Sequence, residues 1–361
     1  MLPGEIRVLL LSRYPSVGAS SRVRFYQYLE LLRAEGIAVS VAPFFDADYL
    51  PQRYAGKRTS SVSLLIAYAK RIGWLLRVGR FDLVWVEYDA LPWIPKLIET
   101  LLLSRRPYVV DYDDAIFVRY GEHAARWSRA LMGDKIAAIM RGAAAVTVGN
   151  EYLAGFARGA GARRVEYCPS AIDVRRYEIR EQPVHSGPVL IGWIGSPTTA
   201  PYLQLAAPAL REICADGRAR LVVVGSGPMS LPDVPTEVRP WSAESEVRNI
   251  ESFDIGIMPL PDDAWARGKS GYKLIQYMAA SRPAVASAVG ANCQIVQSGR
   301  TGLLVKSQDE WVTALRTLCS DAALRIAMGR AGRDVVEQGY DTRRVAPLLA
   351  KILKSAAAEH P

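Results

Sequence analysis

Short apolar runs alternate along this chain with longer segments of helical periodicity, and that alternation limits the fold more than any other feature. IRVLLLS (6–12), IAVSVA (37–42), DLVWVE (82–87), YVVDYD (108–113) and AVTVG (145–149) read as buried strands. Helical patterns fall between them, over 23–34, 62–78, 91–104, 122–141 and 150–159. Strands apolar on both sides need cover on both sides, and alternation with helices supplies it through parallel crossovers. The pattern then restarts. VLIGWIGS (189–196), RLVVVGSG (220–227), DIGIMPL (254–260), PAVASA (283–288) and TGLLV (301–305) are its strands, with helices over 201–215, 243–252, 271–280, 308–318 and 322–338.

The expected fold class is therefore α/β, with two Rossmann-like, doubly wound domains facing across a cleft. A polar stretch with two prolines and a glycine, Arg180 to Pro188, reads as the linker. The expected domains are 1–180, 181–340 and a last helix within 341–361 that packs back on the first domain. Ligands of doubly wound sheets bind beyond the carboxyl ends of the strands. The loops after Leu11, Asp111, Ile194, Val224, Leu260 and Ala286 are thus the places to look for chemistry.

Charge narrows the partners. Residues 1–180 hold 26 Lys and Arg against 18 Asp and Glu, whereas 181–361 hold 19 against 18. The positive field belongs to the first half and suits an anionic substrate or an anionic membrane surface. No nucleic-acid-binding signature accompanies it, so no nucleic-acid partner is expected. The four cysteines, Cys168, Cys214, Cys293 and Cys319, lie far apart, and three histidines add little; no metal site is expected. Reduced thiols, no signal-peptide pattern and a prolyl-broken uncharged stretch at Gln182–Leu210 give a cytoplasmic expectation.

Three loops carry candidate chemistry. ARGKSGYKLIQYMAA (266–280) places Gly-Lys-Ser ahead of a helix, but Asp263 stands where a P-loop needs its first glycine. Gly268, Ser270 and Gly271 still leave backbone N–H groups before a helix starting near Tyr272, and Lys269 adds charge, an arrangement suited to phosphate. SRYPSVGASSRVR (12–24) offers Gly18 for close approach, Ser20 or Ser21 as a helix cap, and Arg22 and Arg24 in the first turn. Cations are disfavoured there by the helix dipole, which suggests an anionic partner. DYDDAIF (111–117) crowds Asp111, Asp113 and Asp114, which can act as a base, bind a hydroxyl or cap a helix. The matching loop of the second half brings Gly195, Ser196, Thr198 and Thr199. Trp241 reads as core or as a stacking surface for a base.

The run from FDIGIMPL through GKSGYKLIQYMAASRPAVAS to GANCQIVQSGRTGLLV resembles the donor-site block of the family 4 glycosyltransferases. VEYCPSAIDVRRY is similar to the segment before that family's linker, and SRVRFYQYL and DYDDAIF resemble a bacterial branch associated with surface polysaccharide synthesis. The resemblance implies the GT-B fold and sugar transfer from a nucleotide-diphosphate-sugar donor with retention of configuration. It implies no cofactor and no metal, and a glycan or lipid-linked acceptor. Two departures stand out. The family's two glutamates, eight positions apart, are Gly268 and Gln276 here, leaving Gln276 to bind a ribose hydroxyl. The Arg and Lys of the loop after the second domain's first strand are missing. The diphosphate charge then falls to Lys269 first, to Arg267 second, and to Arg22 or Arg24. Lys269, Asp113 and Asp114 are the expected catalytic residues.

Two rival functions fit the same features. One is a non-catalytic nucleotide-sugar-binding partner of a transferase; the other is a sugar-nucleotide epimerase, for which His123 and His185 are the candidates. The segment Ser63–Arg80 mixes apolar and basic residues and reads either as a sheet-covering helix with a basic outer face or as a helix lying on anionic lipid. The second reading places the protein at the inner face of the plasma membrane.

Overall fold

A computed structural model describes residues 5–122, 132–178 and 187–359. The 123–131 part of the helix expected over 122–141, most of the expected linker, and His123 and His185 lie outside these residues. The chain divides into two compact units. Unit 1 comprises Met1–Ser170, Arg267–Ser270 and Thr342–Pro361, and unit 2 comprises Ala171–Ala266 and Gly271–Asp341.

Unit 1 holds strands β1 (Ile6–Leu11), β2 (Ile37–Val41), β3 (Leu83–Glu87), β4 (Tyr108–Tyr112), β5 (Ala145–Val148) and β6 (Val165–Tyr167). They form one parallel sheet in the order β2-β1-β3-β4-β5-β6. β3 is buried at every position and β1 at its last four, as expected for central strands covered on both faces. The strand order reverses at β1, so the loops after β1 and β3 flank the switch point where such sheets bind ligands. The helix Thr342–Ala358 belongs to unit 1. Val345, Leu349, Ile352, Leu353 and Ala356 form its buried stripe, and it packs on β3 and β4.

Unit 2 repeats the architecture with β7 (Val189–Ile194), β8 (Ala219–Val224), β9 (Thr236–Arg239), β10 (Ile255–Met258), β11 (Ala284–Ser287) and β12 (Gly302–Val305). The order is β12-β11-β10-β7-β8-β9, again parallel throughout, with the reversal at β7. Tyr277, on the helix Tyr272–Ala279, pins β7 to β10: its hydroxyl accepts from the Ile194 N–H and donates to the Ile257 carbonyl, both at 3.2 Å. A Cβ on Gly256 would lie 2.3 Å from the Tyr277 ring, so glycine is what admits the tyrosine.

The helix expected over 23–34 is broken. Ala19–Arg24 and Leu29–Ala34 are helical, and a 3-10 turn at Tyr26–Tyr28 joins them. The segment from Ser61 to Leu75 is a helix whose outer side carries Lys70, with Arg77 and Arg80 exposed just beyond it, but that side is apolar as well. Arg71 is buried and Val62, Leu65, Ile66 and Ile72 stand exposed.

Candidate functional site

In unit 1 the chemistry gathers after β4. Asp111 is not a third open carboxylate. Arg24 grips it through two hydrogen bonds, of 2.8 Å and 2.6 Å, and Thr147 donates to it as well. Arg24 also donates to the Cys168 carbonyl at 2.8 Å, and the pair's side chains are 3% exposed. Arg24, expected to meet a diphosphate, is instead committed to a buried ion pair. The first-turn cation is needed inside the fold.

Ser20 and Ser21 do not cap the helix. Both hydroxyls donate to Glu87, at 3.0 Å and 2.6 Å, while Gly18 occupies the N-cap without a side-chain bond. Glu87, at the end of β3, also accepts from the Arg13 N–H at 2.6 Å, and so fixes the loop after β1. Burial holds its carboxyl above the usual range against these donors. A Cβ on Gly18 would lie 2.4 Å from Tyr14 Cβ, so the glycine lets the loop close on that ring. Arg22 is half-buried on the same short helix.

Asp113 and Asp114 follow, and here the insertion from Arg267 to Ser270 joins them. Lys269 Nζ lies 3.2 Å from Asp114 Oδ1, and the Ser270 hydroxyl donates to the Asp113 carbonyl at 2.8 Å. Asn150 secures the insertion by donating to the Lys269 and Arg267 carbonyls, at 3.0 Å and 3.3 Å. Gly268 presses on Ala115: an added Cβ would sit 2.4 Å from Ala115 Cβ and 2.6 Å from its backbone nitrogen. A glutamate does not fit there without moving the backbone.

Tyr88 donates a hydrogen bond to Asp113 Oδ1. This tyrosine has φ 61°, a costly conformation for a bulky residue. It is held by its N–H on the Asp111 carbonyl at 3.1 Å and by the Tyr112 hydroxyl, which donates to its carbonyl at 2.8 Å. The Asp113 carboxyl is pushed up to about 7 by burial first and then by neighbouring Asp114, against the opposing pull of Arg24 and the Tyr88 hydrogen bond. A carboxyl in that range exchanges a proton near neutral pH.

In unit 2 the loops after β7 and β8 press together. A Cβ on Gly195 would be 2.4 Å from the Trp193 ring, and one on Gly225 would be 2.4 Å from the Gly195 carbonyl oxygen. The hydroxyls of Ser196 and Thr198 are 2.8 Å apart, and Thr199 donates to the Ser196 carbonyl at 3.1 Å and accepts from its N–H at 3.2 Å. Gly271 caps the helix Tyr272–Ala279 with φ 67°. Tyr272 is half-buried against the core, and Gln276, 3% exposed, is turned inward beside the Tyr177 hydroxyl. The Trp241 indole N–H donates to Glu246 at 2.9 Å.

Sequence reasoning missed Lys273. Its Nζ lies 5.2 Å from the centroid of the Trp193 ring, against which Gly195 also packs. The signal was present: a cation in the first turn of a helix, where the dipole opposes it. The structure therefore groups Asp113, Asp114, Lys269 and Ser270 in unit 1, and Gly195, Trp193 and Lys273 in unit 2. Glu87 and Tyr88 were also missed, because a single residue ending an apolar run carries no pattern.

Residues 188–321 match the family model described as "Glycosyl transferases group 1". Over 173 residues the chain is 27% identical to the D-inositol 3-phosphate glycosyltransferase of Pseudarthrobacter chlorophenolicus, a match spanning 44% of this chain and 40% of that relative's length. Among solved structures, the sucrose-phosphate synthase of Thermosynechococcus elongatus superposes with a TM-score of 0.72 at 14% identity, covering 99% of this chain and 100% of that one. Anabaena Alr3699/HepE in complex with UDP-glucose gives 0.70 at 14% identity, covering 97% and 100%. The fold is GT-B, with two Rossmann-like domains, and its second domain carries the glycosyl transferases group 1 sequence.

Proposed function

We propose that this chain is a retaining glycosyltransferase that moves a sugar, a hexose by expectation, from a nucleotide-diphosphate-sugar donor to a glycan or lipid-linked glycan. One observation carries the reading: the group 1 match falls on a doubly wound sheet whose switch-point loop brings Gly195, Trp193 and Lys273 together. A glycine loop, helix N–H groups and a cation are what a diphosphate needs. The HepE complexes with UDP and UDP-glucose support a donor of this class.

Breaking the glycosyl–phosphate bond leaves negative charge on the departing diphosphate. Cations that strengthen their hold as this charge grows lower the barrier. Lys269 takes that role, exchanging its bond to Asp114 for the phosphate. Asp113 holds the acceptor hydroxyl. Its proton passes to the leaving phosphate on the same face of the sugar, which retains configuration without an enzyme nucleophile and calls for no metal.

Turnover tests this. Lys269→Ala is expected to slow release of nucleoside diphosphate from a nucleotide sugar plus acceptor by roughly two orders of magnitude or more, as with other lost transition-state charge partners. Turnover close to that of the wild type would remove Lys269 from the mechanism. The blocked space at Gly268 favours one rival, a non-catalytic partner that binds nucleotide sugar. That rival predicts nucleotide binding without turnover.

A further inference from the structure

The helix Ser61–Leu75 is apolar on both sides: Leu64, Tyr68, Trp74 and Leu75 are buried or half-buried, and a second apolar set faces outward. Helices on a sheet turn an apolar stripe inward and polar residues outward. Here Arg71 is buried, its guanidinium donating to the Ser12 carbonyl at 2.6 Å, while Val62, Leu65, Ile66, Ile72 and then Leu76 are exposed. Leu65 is 70% exposed.

A second helix continues this surface. In Lys96–Leu103, Glu99 and Leu103 are buried, whereas Leu97 is 74% and Leu101 68% exposed, with Ile98 beside them. Both helices are right-handed crossovers between parallel strands that step the same way across the sheet, from β2 to β3 and from β3 to β4. They therefore lie on one face of it. The Tyr68 hydroxyl, bonded to the Pro92 carbonyl, ties them together. Of fifteen large apolar side chains exposed among the described residues, nine sit on these two helices and their flanking turns, Trp93 included. So dense a patch marks an interaction surface.

Its charge selects the occupant. Residues 49–81 contain seven Lys and Arg and no Asp or Glu. Arg71 points inward, while Arg53, Lys57, Arg58, Lys70, Arg77 and Arg80 are exposed around the apolar stripe. A second copy docking symmetrically would set this cationic rim against itself, whereas an anionic bilayer complements both rim and stripe. No helix among the described residues is long and apolar enough to cross a membrane.

We infer that Ser61–Leu75 and Lys96–Leu103 together form an insertion face for an anionic lipid bilayer, with the leucines and isoleucines entering the acyl boundary and the basic residues meeting headgroups. Crossover helices run against their strands, so Val62, Leu65, Trp93 and Leu97 lie toward the carboxyl edge of the sheet. Asp113 and Asp114, which follow β4, share that edge. The face brings this edge to the bilayer and makes a lipid-linked acceptor the favoured substrate class. Only this last step rests on the proposed glycosyl transfer.

Vesicle flotation tests the face without any donor, so its failure and that of the transferase reading are distinguishable. Phosphatidylcholine vesicles with about 30% phosphatidylglycerol should carry the wild type upward, and vesicles of phosphatidylcholine alone should carry much less. The variant Leu65→Ser/Leu97→Ser/Leu101→Ser keeps every charge. It should lose at least about tenfold in partitioning, with an unchanged circular dichroism spectrum and melting temperature. Bound wild type should also stay bound through a wash in about 0.5 M NaCl, which screens adsorption by charge alone. Equal partitioning of the serine variant, or full release by salt, would overturn insertion. So would absence of flotation together with a doubled mass in light scattering that the serine variant lacks, which would assign the face to a second copy.

Discussion

At the scale of single residues, the acceptor role proposed for Asp113 has its most direct readout in the carboxyl proton. Burial and Asp114 hold its carboxyl up at about 7, while the Tyr88 hydroxyl pulls the other way by bonding the ionised form. If the ionised form receives the acceptor, kcat/KM rises with pH through a limb near 7. Tyr88→Phe removes a bond to the carboxylate, so that limb should move to higher pH. Asp114→Asn removes a like charge and should move it lower. A profile flat from pH 5 to 9, or shifts of the opposite sign, would exclude Asp113 from this role. Stability carries the same sign. A carboxyl raised in the folded state favours folding most below its unfolded value, and this advantage is lost as pH rises through about 7. Asp113→Asn should therefore be the more stable protein at pH 8, by an amount on the order of a few kcal/mol. Urea unfolding at pH 4 and pH 8 measures it.

At the scale of elements, the central strands were legible and so were the edges β2 and β12, whereas the edges β6 and β9 were not. β1, β3, β4, β7 and β8 are buried apolar runs, and a run covered on both faces has no polar alternation to blur it. β6 reads VEY and β9 reads TEVR. They lie at sheet edges, where exposure permits charge and removes the pattern. The loops were legible as glycine and carboxylate clusters, but pairing across the fold was not. DYDD looks like one group of acids in the sequence, yet β4 turns Asp111 to Arg24 and leaves Asp113 with Tyr88, from a different strand end. Nor does a lysine's place in a motif reveal its neighbour, which for Lys269 is Asp114 and for Lys273 is Trp193. The Arg24–Asp111 pair has its own consequence. It joins the helix Ala19–Arg24 to β4 and, through the Cys168 carbonyl, to the end of β6. Arg24→Gln leaves a buried carboxylate without its partner and should cost about 3–5 kcal/mol. Equilibrium unfolding in urea reads this directly, and a loss below about 1 kcal/mol would mean the pair is dispensable.

At the scale of the whole molecule, the two units share an architecture and differ in charge. Nearly all of the surplus of Lys and Arg lies in residues 1–180, while 181–361 are close to neutral. A diphosphate donor on the second domain, as proposed, would therefore rely on placed groups rather than a diffuse field. Lys273 and the glycine loops should count for more than net charge. Ligand binding to the folded state alone adds about 2.7 kcal/mol at a hundred times the dissociation constant, enough to move a melting curve. Thermal shift against UDP, GDP, ADP and CMP and their sugar conjugates should single out one nucleoside diphosphate. Lys273→Ala should abolish that shift, and a ten-fold rise in ionic strength should only weaken it, because fixed contacts at a helix start are less screened than a distant field. No shift with any nucleotide would remove the donor from this sheet and with it the transferase reading. A shift that survives in Lys273→Ala but vanishes with salt would return the phosphate to the general positive field. A shift in the wild type without turnover on any acceptor would make the second domain a nucleotide-sugar receptor, with Gly268 as the residue to change first.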